Sequence, residues 1–138
     1  MAYTFGLTRL WGCSKAMVEL TWERDGVLRT AAGRVTMAEL DATAAQLQSD
    51  ARLDDLCYII HDFTAATVFV VSQEDIDYMA LRASIALQKN PRVKIAFVGD
   101  HPVVHALIHA FNVDGVSQHR CRRFDTVDEA RIYVAVPA

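Results

Sequence analysis

Three prolines, widely separated, and no low-complexity run or internal repeat leave this chain without the composition of a linker or a disordered tail. Cysteine is equally sparse. Cys13, Cys57 and Cys121 are odd in number, far apart and in no C-x-x-C pair, which argues against a disulfide framework and a structural zinc site. Cys57, inside an apolar run, is expected as a small core residue. No apolar run approaches the roughly 18 residues of a membrane span, and MAYTFGLTRLW has no charged region followed by an apolar block. Charge of one sign is also missing: the net charge is −3, so bulk electrostatics support neither nucleic-acid nor anionic-membrane binding. What the chain does have is apolar surface, 52% of its residues, enough for a sizeable core in one domain spanning 1–138. A soluble, cytoplasmic protein is the expectation.

The first third reads as β structure. Tyr3, Phe5 and Leu7 alternate with polar or small residues, and Ala16, Val18, Leu20 and Trp22 do so again opposite Met17, Glu19 and Thr21. Arg24-Asp25-Gly26 then separates that run from Val27-Leu28-Arg29-Thr30, and Asp-Gly between such runs predicts one antiparallel hairpin over 16–31. After Gly33 the period becomes helical: Thr36 and Glu39 form a capping box, with Leu40, Ala44 and Leu47 on the core face and Asp41, Gln48 and Asp50 toward water.

The stretch Leu56 to Ile76 changes period three times in about twenty residues. Leu56–Ile60 is a short apolar run suited to a strand covered on both faces. His61, Asp62 and Phe63 are expected to end it, Thr64 to Thr67 to form a compact loop, and Val68–Val71 to lead into a helix capped by Ser72 with Asp75. That helix stops before Pro91. Its core stripe is Ile76, Met79, Ala80, Ala83 and Leu87, which leaves a second stripe of Tyr78, Leu81 and Ile85 for a pocket wall or a homodimer contact.

Val93–Val98 makes the next central strand, ending at Gly99-Asp100, and a helix runs from near Pro102 to Phe111. Val116–Phe124 reads as a basic edge strand, in which Arg120 and Arg122 face one way and His119, Cys121 and Arg123 the other. Asp125 or Thr126 caps a last helix from Val127 to about Val134. His101, His105 and His109 recur one turn apart, but at the solvent border of a helix whose buried face is Val104, Leu107, Ile108 and Phe111. No metal and no cofactor is expected from them.

The element order β-β-β-α-β-α-β-α-β-α, together with Cys57–Phe63, Val71–Ile76, Lys94–Asp100 and Arg123–Ala130, resembles the STAS domains of anti-sigma-factor antagonists. The nearer resemblance is to small bacterial SpoIIAA-like (STAS/SEC14-like) proteins. It implies an α/β fold in which an N-terminal antiparallel hairpin feeds parallel β-α-β units, with about four helices. In those antagonists a strand-end aspartate precedes an Asp-Ser-Ser-Gly helix start whose second serine is phosphorylated. Asp62 matches the aspartate and Ser72 that serine, while Val70 and Gln73 stand where the motif has aspartate and glycine, so Ser72 is read as a plain N-cap rather than a phosphoswitch.

Neither a G-x-S-x-G elbow nor a Gly-rich oxyanion loop accompanies His61, Asp62 and Ser72, so catalysis is not expected. The expected function is a regulatory protein-interaction module; the alternative is a small apolar-ligand or lipid carrier of the SEC14-like type. The expected interaction surface is Asp62, Phe63, Thr64, Thr67 and Ser72 with Gly99, Asp100 and His101, because open α/β sheets place sites at the carboxyl ends of their strands.

Overall fold

A computed structural model describes residues 17–112 and 121–136. The hairpin forms where Asp-Gly demands it: β1 (Val18–Trp22) pairs antiparallel with β2 (Gly26–Thr36), Val18 opposite Ala31 and Trp22 opposite Val27. Next come α1 (Met37–Ser49), a short 3-10 turn (Ala51–Asp55), β3 (Tyr58–Val70), α2 (Gln73–Ala86), β4 (Lys94–Val98), α3 (Pro102–Asn112), β5 (Cys121–Phe124) and α4 (Val127–Ala135). The described strands form one sheet in the order β1-β2-β3-β4-β5, with every pair after the first parallel. Leu56–Ile60 and Val93–Val98 were expected as neighbouring central strands, and β3 and β4 are those neighbours. The proposed strand over Tyr3–Leu7, Cys13 and residues 116–120 lie outside the described residues.

Each face of the sheet has its own core. Val27, Val35, Ile59, Phe63, Ile95 and Phe97 pack beneath α1, α2 and α3. Ile60, Ala96 and Val98 meet Ala130 of α4 on the other face. Burying a side chain such as Ile59 or Phe63 in this way contributes about 1.5–3 kcal/mol relative to leaving it in water. Three helices begin at capping boxes, Thr36 with Glu39, Ser72 with Asp75, and Thr126 with Glu129, so each start is fixed by side chains within four residues.

Two expectations are corrected. β3 does not end at His61–Phe63, and Thr64–Thr67 is not a loop: the strand runs on to Val70 because β2, itself continuing to Thr36, supplies a pairing partner all the way. The register shifts twice. Between Asp62 and Ala65, and again between Ala66 and Val68, β3 carries one residue more than β2 does, and each bulge flips which parity faces inward. Phe63 faces the core, Ala66 does so after the first bulge, and Phe69 after the second. Gly33, at φ 66, accommodates the second shift on the β2 side. The bulges also bend the strand. Six residues of straight strand cover about 20 Å, whereas the rings of Phe63 and Phe69 are 5.6 Å apart. The second correction is Cys57, which is exposed, because β3 begins one residue later and Cys57 sits in the turn before it; Cys121 is buried.

Candidate functional site

The bend of β3 returns its far end toward the start of α3, and this shapes the surface at the carboxyl ends of β3 and β4. Asp62, opposite Val98 at the last paired position of β4, folds its carboxylate back to accept from the Thr64 amide (3.1 Å) and hydroxyl (2.7 Å). Gly99 follows β4 at φ 131, with a Cβ position that would lie 3.4 Å from the Phe63 carbonyl carbon and 3.6 Å from the Thr64 nitrogen. A side chain is strained there by backbone conformation alone. His101 caps α3 by accepting from the Val103 amide through Nδ1 (3.1 Å), and its ring meets Phe69 edge-on at 4.8 Å.

Charge gathers around Asp100. His105 Nε2 lies 2.8 Å from its carboxylate, and the Arg123 guanidinium lies 3.9 Å away while bonding Gly99 O (3.0 Å) and Asp125 (2.8 Å). His105 and then Arg123 hold the Asp100 carboxyl below its ordinary value, and Asp125 first and Asp100 after it hold Arg123 in the charged form. Asp62, Thr64, Gly99, Asp100 and His101 are thus brought together, joined to the end of β3 through Phe69. Thr67 and Ser72 are exposed on the outer reach of β3 and at the start of α2. Ser72 Oγ accepts from the Asp75 amide (3.1 Å), as an N-cap does. Phe63 does not belong to this surface: at 2% exposure it is core, since its phase matches Ile59 and His61.

His101, His105 and His109 do not converge. His101 is engaged by Phe69 and the α3 cap, His105 by Asp100, and no group of three His, Cys, Asp or Glu among the described residues could hold a metal ion. The second α2 stripe is exposed, Tyr78 at 52%, Leu81 at 47% and Ile85 at 59%. Tyr78 also lines a cavity between α1, α2 and the sheet, which divides it from Leu81 and Ile85. Reasoning from sequence missed His105, Arg123 and Phe69 as members of the strand-end surface. Arg123 had a legible signal in its alternation with Cys121; Phe69 had none, because its placement depends on the two bulges.

No protein-family model and no curated protein matches the chain. Solved structures do. The anti-sigma-factor antagonist SpoIIAA in its unphosphorylated form is similar at a TM-score of 0.61 and 13% identity, over 86% of this chain and 97% of that one. An anti-sigma-factor antagonist from Mycobacterium paratuberculosis is similar at 0.55 and 13%, over 86% and 93%. A protein with a SpoIIAA-like fold from Shewanella loihica is similar at 0.54 and 14%, over 85% and 91%. The mixed sheet, hairpin first and parallel strands after, with four described helices, is a SpoIIAA-like STAS fold.

Proposed function

We propose that this chain is a regulatory module that works by binding another protein, in the bacterial cytoplasm, and not by catalysis. The observation that carries the reading is the joined surface at the ends of β3 and β4, where Asp62, Thr64, Gly99, Asp100 and His101 present side chains and backbone from two strand ends at once. Two structural neighbours are antagonists of anti-sigma factors by name, which supports a protein as the partner. Ser72 serves as a helix cap here. Glu74 and Asp75 beside it would repel a phosphate.

Self-association accompanies this reading. Leu81 and Ile85 are exposed on α2, and Tyr78 beside them is exposed as well. A second copy of α2 laid across a two-fold axis would cover this apolar stripe with its own copy.

The test is charge reversal at the strand ends. The partner is first purified with the protein from its own host, and binding of the isolated pair is then measured with Asp62→Lys/Asp100→Lys. The reading expects the affinity to fall by at least about tenfold with the circular dichroism spectrum unchanged. Unchanged affinity would refute it.

A further inference from the structure

Arg29 is the one buried cationic side chain among the described residues. The alternation of β2 places it inward between Val27 and Ala31, beneath α1. Its Nε donates to Thr43 Oγ1 (3.0 Å) and its Nη2 to the Leu40 carbonyl (2.6 Å), but Nη1 has no partner among the described residues. Burial lowers its pKa to about 10, so it stays charged at neutral pH, and among the described residues no ion pair to a carboxylate offsets that burial. Directly opposite in the parallel register is His61. Its ring stacks on Phe97 at 4.4 Å, and its Nδ1 is buried with no hydrogen-bond partner. Burial and then the charge of Arg29 hold the imidazole well below its ordinary value, leaving it neutral with one N–H to donate.

Both residues line a cavity of about 60 Å³, room for about four water-sized groups, between the sheet and the α1–α2 pair. The remaining wall is largely apolar, including Leu40, Ile59, Phe63 and Ala83. Tyr78 is exposed, Asp41, Gln48 and Arg82 are half-buried polar lining residues, and an ion pair between Arg82 and Asp41 joins α2 to α1 at that point. A buried cation with no ion-pair partner among the described residues, an imidazole nitrogen without a hydrogen bond and largely apolar walls match a ligand carrying one negative charge on a small apolar body. A doubly charged anion would exceed the charge available; a neutral apolar molecule would leave Arg29 and His61 as they are.

We propose that this cavity binds a short-chain aliphatic monocarboxylate, whose oxygens accept from Arg29 Nη1 and the His61 ring N–H while its tail lies among the apolar side chains of α1, α2 and the sheet. The inference gives the carrier alternative a specific form and is independent of the strand-end surface, so each can fail without the other.

The test is a titration of the whole chain with butyrate, followed by calorimetry and by the ring 15N resonances of His61, with butyramide and inorganic phosphate as controls. Butyrate is expected to saturate one site and move the His61 resonances, while butyramide and phosphate do not. Arg29→Met removes the cation but also the anchor of α1, so two gentler variants carry the test. His61→Phe keeps the stack on Phe97 and should weaken binding about tenfold; Ala83→Leu fills the cavity from α2 and should abolish binding. Phosphate competing as well as butyrate would overturn the proposal in favour of an unselective anion hole. Unmoved His61 resonances at saturating butyrate would overturn it in favour of a cavity that holds only water.

Discussion

His61 is neutral in the folded protein and titrates as an ordinary imidazole once the chain unfolds, and the consequence for stability has a definite sign. Below about pH 6.5 the unfolded state takes up a proton that the native state refuses, so stability falls as pH falls through that value. The loss is at most about 1.4 kcal/mol per pH unit from a single group. Glu23, Asp50 and Asp100 have lowered values, so their contributions vanish only in more acid solution, as pH drops through their folded pKa values. Denaturant unfolding at pH 7 and pH 5.5 should show a decline in the native protein that is smaller in His61→Phe. Equal declines would mean that His61 is protonated in the folded state. Gly99→Ala should cost about 1–3 kcal/mol by the same measurement, because φ 131 is costly for any side chain. At this scale the sequence held more than its hydrophobic pattern first suggests. Arg29 is in phase with Val27 and Ala31, and His61 with Ile59 and Phe63, so both were readable as inward polar residues; that they adjoin required the β2–β3 register, which no local pattern contains.

Elements defined by local chemistry were legible and those defined by distant pairing were not. The hairpin follows from alternation around Asp-Gly, and the helices of Thr36, Ser72 and Thr126 follow from side chains that satisfy amides within the same turn. Replacing any one of these caps by alanine should lower stability by about 1 kcal/mol, read from the shift of the urea midpoint. β3 misled for a physical reason. Thr64-Ala-Ala-Thr67 has little apolar content and its two bulges break the alternation twice, so a paired strand reads as a loop. The apolar excess on α2 was legible as an excess, but its division was not: Tyr78 lines the cavity while Leu81 and Ile85 face outward. If the native chain sediments as a dimer, Leu81→Glu/Ile85→Glu should give a folded monomer by analytical ultracentrifugation. A native chain that is monomeric at high concentration would remove the self-association reading, and a variant that unfolds would mean that this stripe belongs to the core.

Across the whole molecule, one latch ties the hairpin to the last helix. Arg131 of α4 forms a two-pronged ion pair with Glu23 (2.6 and 2.7 Å), which also accepts from the Tyr58 hydroxyl at the start of β3. Arg131 is over a third exposed, so solvent screens the pair, and Arg131→Met should cost about 1 kcal/mol or less. This latch sits at the start of β3, away from the surface that Asp62–Thr64 and Gly99–His101 form. The central claim is that binding occurs there. Its most direct test is a hydrogen-exchange footprint of the protein with a partner purified from its own host, comparing free and bound states peptide by peptide. Protection should centre on Asp62–Thr64, Gly99–His101 and the Ser72 cap. Protection confined to α4 and β5, with those three segments exchanging at the free rate, would contradict it.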